Sequence, residues 1–116
     1  MEIKIIKAPI NRKELVNIAR GQFGNLVKAV VDVGQGIMAV GGEMHADEEV
    51  LLMEQEDSKR ENTWGINLYL EKTGDDWIEF DSVINLKPSF GNRSRGVDNP
   101  VVREKIKNIV EKLVSK

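Results

Sequence analysis

Cysteine is absent from this chain, and with it go disulfides, thiolate nucleophiles and thiolate zinc sites. Histidine occurs once, at position 45, so the paired imidazoles of an HExxH site are excluded. Aromatic residues are 5% of the chain and none falls in an RNP-like pattern, which makes Trp64 and Trp77 core and sheet-rim side chains rather than base-stacking platforms. No apolar run approaches the length that spans a bilayer. The opening residues, MEIKIIKAPINRKE, lack the apolar stretch and small-residue cleavage site of a secretory signal. Neither sign of charge dominates: 17 basic and 19 acidic residues give a net charge of -2, too little to pull the protein onto nucleic acid or an anionic membrane. A soluble protein of the reducing cytoplasm is the expectation.

What is present is an ordinary globular composition, 41% hydrophobic and 31% charged over 116 residues, which suits one domain, residues 1–116, able to bury a core without staples. Asn11 and Glu14 form a capping-box pattern ahead of Leu15, Ile18, Ala19 and Phe23 at helical spacing. LVKAVVDV and IMAV flank Gly34 and Gly36 as a hairpin, with Val27, Ala29, Val31 and Val33 on one face. A second helix is expected from about Ala46 to Gln55. WGINLYL and WIEFDSVINL then alternate across KTGDD as a second hairpin, which sets Asn67 opposite Asp81 and Tyr69 opposite Glu79. Asn99 and Pro100 open a third helix with the stripe Val102, Ile106, Ile109, Val110 and Leu113. The order β-α-β-β-α-β-β-α predicts an α+β fold: a mainly antiparallel sheet of about five strands, three helices on one face, and a wet opposite face bearing Lys28, Asp32, Asn67, Tyr69, Glu79 and Asp81.

Two segments carry groups suited to chemistry. In GGEMHADEE, the alternating residues Glu43, His45 and Asp47 could ligate a metal, completed by Asp32 or Asp81, or His45 could act as a base with Glu43 and Asp81 nearby, its ordinary pKa of about 6.5 lying near working pH. The same run also reads structurally, as a glycine approach followed by acidic residues that complement a helix dipole. In KPSFGNRSRGVDN, the residues Asn92, Arg93, Ser94 and Arg95 could hold an anion beside the start of the third helix. The competing reading is an internal clasp in which Arg93 and Arg95 pair with Glu43, Asp47 or the sheet carboxylates.

The strings FGNLVKAVVDV, IMAVGGEMHADEE, WGINLY, EFDSVINL and GNRSRGV together resemble a small prokaryotic domain-of-unknown-function family, similar from roughly Ile3 to Val114. The resemblance implies one compact domain and brings no activity, cofactor or site residue. Three functions follow from the residues: a binding protein for a small phosphate-bearing anion, a metal-assisted hydrolase using Glu43, His45 and Asp47, or an adaptor for a protein partner. No cofactor is indicated.

Overall fold

In the computed structural model, which describes residues 2–115, the chain forms β1 (Lys4–Ile6), β2 (Ile10–Asn11), α1 (Arg12–Arg20), β3 (Leu26–Asp32), β4 (Ile37–Val40), α2 (His45–Glu56), β5 (Thr63–Tyr69), β6 (Ile78–Glu79), α3 (Pro100–Leu113) and β7 (Val114–Ser115). Strands β1, β4, β3, β5 and β6 lie in that order in one sheet, and each neighbouring pair is antiparallel. The α+β expectation holds. A separate parallel pair, β2 with β7, brings Ile10 beside Val114. The Asn11 side chain caps α1 by accepting from the Lys13 N–H, and Asn99 caps α3 by accepting from the Val101 N–H.

The helices do not share a face, which corrects the expected layering. On the first face, Val27, Ala29, Val31, Met38, Val40, Trp64, Ile66 and Leu68 pack against Leu15 and Ala19 of α1 and Ile106, Val110 and Leu113 of α3. On the second, Val30, Ile37 and Ala39 pack against Leu52 of α2 and against Ile84. The register explains why a helix is accepted there: Val30 pairs with Ala39 on one side and with Gly65 on the other, so a row of small or slim residues crosses β4, β3 and β5. The whole of IMAV is buried, as befits a strand covered on both sides.

The second hairpin is also shorter than its pattern suggests. Leu70 to Trp77 is consumed by a turn ending in a 3-10 segment, Gly74–Trp77, which drops Trp77 into the first core. Pairing resumes with Asn67 opposite Glu79 and Leu68 opposite Ile78, two residues from the expected register, so each side chain keeps its face. After Glu79 the chain leaves the ladder. Its place is taken by the Asn85 side-chain amide, which accepts from the Gly65 N–H at 2.8 Å and donates to the Gly65 carbonyl at 3.0 Å, as a neighbouring strand would. Ser82 lies so close that a Cβ on Gly65 would stand 2.6 Å from its Cβ and Oγ.

Candidate functional site

The part of the second face that α2 leaves uncovered holds the groups in which the sequence candidates meet. Lys28 on β3 pairs across with Asn67 on β5, and Asn67 with Glu79 on β6. The Asn67 amide donates to Glu79 Oε1 at 2.8 Å, and the Tyr69 hydroxyl donates to the same oxygen at 3.2 Å. Asp81 follows and accepts from Arg95 Nε at 2.7 Å, both side chains about half exposed. Partial desolvation and the Glu79 carboxylate hold the Tyr69 phenol above its ordinary pKa. Lys28 lies 5.5 Å from the Phe23 ring centroid, and Phe23 shares with Met44 a shallow depression of about 350 Å³. Phe23 is 43% and Met44 59% exposed, so an apolar end joins a mixed-charge strip.

His45 closes the inner side of this strip. The first turn of α2 lays its ring against Gly65, and Nε2 donates to the Ile66 carbonyl at 2.8 Å. Burial lowers its pKa below 6.5, Lys28 pushes the same way, and the Ile66 bond, Asp81 and Asn67 oppose the shift. The ring is therefore neutral at pH 7 and enclosed. Glu43 and Asp47 are exposed, Glu43 at the rim of the Phe23 and Met44 depression. Among the described residues no group of three or more histidine, aspartate or glutamate side chains is arranged to hold a metal ion, so Glu43, His45 and Asp47 are not assembled as a ligand set. Asp32 is also apart, buried under the first hairpin and accepting from the Gly34 and Gln35 N–H groups and the Ser58 hydroxyl.

Two acidic residues that the sequence suggests for the helix dipole are inside the protein instead. Glu48 is fully buried and its Oε2 accepts from the Gly42 N–H at 2.8 Å; burial raises its pKa well above 4.5. Gly42 is required here because a Cβ would meet Glu48 Cγ at 2.8 Å. Glu49 accepts from Thr63 Oγ1 at 2.6 Å and Arg60 Nη1 at 3.1 Å. Only Asp47 remains as the exposed acid of that first turn.

The basic loop is largely satisfied from within. Asn92 is buried; its amide donates to the carbonyls of Asn85, Ser94 and Gly96, and its Oδ1 accepts from the Asp98 N–H. Asp98 takes the Arg93 N–H at 3.0 Å and the Ser94 hydroxyl at 2.5 Å, contacts that hold its carboxyl below the usual range. A carboxylate of the chain thus takes loop donors that an external anion would use. Lys87 is buried as well, donating to the carbonyls of Arg60 and Thr63 over the Trp64 ring, and burial brings its pKa down to about 8. Of the expected clasp the structure contains Arg95 with the sheet carboxylate Asp81, and neither Glu43 nor Asp47 takes part.

The sequence pattern missed Phe23 and Met44 as surface groups. Phe23 continues the spacing of α1, but the helix ends at Arg20, and Gly21 directs the chain away. No curated protein and no solved structure matches the chain. Residues 4–113 match the model of the family described as protein of unknown function (DUF5674), and the chain belongs to that family.

Proposed function

We propose that the protein acts by binding a protein partner along the surface that runs from Phe23 and Met44 through Lys28 to Tyr69, Glu79, Asp81 and Arg95. The observation that carries this reading is continuity: exposed aromatic, methionine and arginine groups, types enriched at interfaces, adjoin one another along a part of the second face that α2 leaves open. The strip contains Lys28, Arg95, Glu79 and Asp81, with Glu43 at the rim of its apolar end, so its complement is an extended segment of mixed charge with an apolar residue for the Phe23 and Met44 depression. Reaction chemistry has less support, because His45 is sealed against Gly65 and Ile66. A cytoplasmic setting accords with the absence of cysteine.

A second reading keeps the anionic ligand, favoured by one observation: the Arg93 guanidinium is exposed and has no partner among the described residues. Photocrosslinking amino acids placed at Phe23, at Tyr69 and, as a control, at Lys105 on α3 separate the possibilities in cells. The partner reading expects one discrete product from positions 23 and 69 that disappears when Lys28→Glu and Arg95→Glu are combined. The same products from Lys105, or products indifferent to the charge reversal, would sink it.

A further inference from the structure

On the other side of the molecule a second recess lies between the β5–β6 turn and the end of α3. Its volume is about 580 Å³, within the range of small-molecule sites. Arg12, Thr73, Asp75, Trp77, Glu111 and Ser115 face it. Arg12 is held from two directions: its Cζ lies 4.4 Å from the Trp77 ring centroid, and its Nη2 donates to the Leu70 and Lys72 carbonyls at 3.0 and 2.8 Å. Those bonds use one nitrogen of the fork. The Nε and Nη1 hydrogens have no partner among the described residues, although a guanidinium offers five donors.

The acids of the recess are not equivalent. Asp75 is paired with Lys107 at 3.4 Å. Glu111 has no ion pair among the described residues and faces the same recess as Arg12 without contacting it. A fixed cation and a carboxylate without an ion pair among the described residues thus line one recess, together with Thr73, Ser115 and the apolar groups Trp77 and Val114. A plain anion would meet Glu111 as a repulsive neighbour, and a plain amine would meet Arg12. A molecule carrying both charges satisfies both groups.

We propose that this recess binds a small zwitterion of the α-amino acid class, its carboxylate on the unused N–H groups of Arg12 and its ammonium on Glu111, with the side chain toward Trp77. Arg12 is a poor probe because it also fastens the β5–β6 turn, so the test rests on Glu111, which is exposed and whose side chain has no bond among the described residues.

Trp77 supplies the signal. Glycine, L-serine, L-leucine and L-phenylalanine are titrated into Trp64→Phe protein by fluorescence, and into the natural chain by following the backbone amides of Thr73 to Trp77 and of Ser115, which covers the case that Trp64→Phe is unstable. The expected result is a saturable change for at least one amino acid at about millimolar concentration or below, a binding energy near −4 kcal/mol. Acetate and methylamine should each bind at least tenfold more weakly, and Glu111→Gln should weaken the amino acid several-fold. No saturable response up to ten times that concentration would overturn the proposal. So would acetate binding as well as the amino acids, or a Glu111→Gln protein that binds them unchanged.

Discussion

Gly65→Ala is the sharpest test of how the second face is assembled. The added methyl would sit 2.6 Å from both Cβ and Oγ of Ser82 and 3.1 Å from Cγ of His45, and no flexible side-chain end is available to yield, since Ser82 is buried and His45 is tied to Ile66. Overpacking of a tight site costs about 1–3 kcal/mol. Pushing the Ser82–Asn85 turn outward also strains the two hydrogen bonds between Asn85 and Gly65, worth about 1 kcal/mol more. A loss of ~2–4 kcal/mol is expected, and at roughly 4 °C per kcal/mol for a chain of this length the melting temperature should fall by about 8–16 °C. Urea unfolding of Gly65→Ala, Ser82→Gly and the double variant measures it. Because Ser82→Gly removes the atoms the methyl strikes, the double variant should be more stable than the sum of the single effects by about 1–2 kcal/mol. Additive losses, or a Gly65→Ala protein within about 0.5 kcal/mol of the natural chain, would refute the reasoning, the latter being the range of unremarkable surface changes.

Other expectations concern charge. His45 has a folded pKa below 6.5, so the unfolded chain takes up a proton that the folded ring refuses and stability falls as pH drops below 6.5; unfolding of His45→Gln across pH should lack that slope. Glu48 has the opposite sign: its raised pKa makes the folded carboxyl hold a proton that the unfolded one releases, so the stability of Glu48→Gln relative to the natural chain should climb as pH rises above 4.5, and a flat difference would argue against the buried acid. Lys87, at about 8 folded against 10.5 unfolded, should make the natural chain gain stability relative to Lys87→Met between pH 8 and 10.5. Asn92→Ala leaves the carbonyls of Asn85, Ser94 and Gly96 without this donor, with an expected cost of about 2–4 kcal/mol in chemical denaturation. Arg95→Ala breaks a half-exposed pair and should cost no more than about 1 kcal/mol.

Much of this fold could be read from residues alone, because its helices and first hairpin are set by local rules: Asn11 and Asn99 cap, Pro100 starts, Gly34 and Gly36 turn. The covering of the second face was also present in principle, since IMAV alternates nothing and a strand apolar at every position asks for two buried sides. The polar residues Lys28, Asn67 and Tyr69 mask it, because they give the same face the alternation of a wet sheet side. Other features depend on distant partners and leave no periodic mark. Asn85 imitates a strand only because Gly65 passes beside it, Glu48 is buried only because Gly42 has room for its stem, and Asp98 fills the basic loop through contacts fixed in three dimensions. The pairing of Arg95 with a sheet carboxylate is legible as one form of the clasp, and the structure contains it at Asp81. Glu43, equally prominent in the sequence, borders the surface at the Phe23 and Met44 depression, whereas the Arg93 side chain stands exposed on the basic loop and pairs with none of these groups.

The brevity of β6 and the substitution of Asn85 for a strand bear on how the protein behaves in a crowded solution. An open sheet margin is a template on which a second chain can lay its own backbone, the first step toward ordered aggregates. Here the ladder stops after Ile78 and Glu79, and the backbone groups of Gly65 that would have invited a newcomer are already engaged by a side chain of the same molecule. At the far margin β1 has three residues and is bracketed by Lys4 and Lys7, charges that discourage stacking. Replacing Asn85 with an apolar residue would therefore do more than weaken the fold: it would reopen one margin, and turbidity or seeded fibril growth at sub-denaturing temperature would report that exposure before global unfolding does.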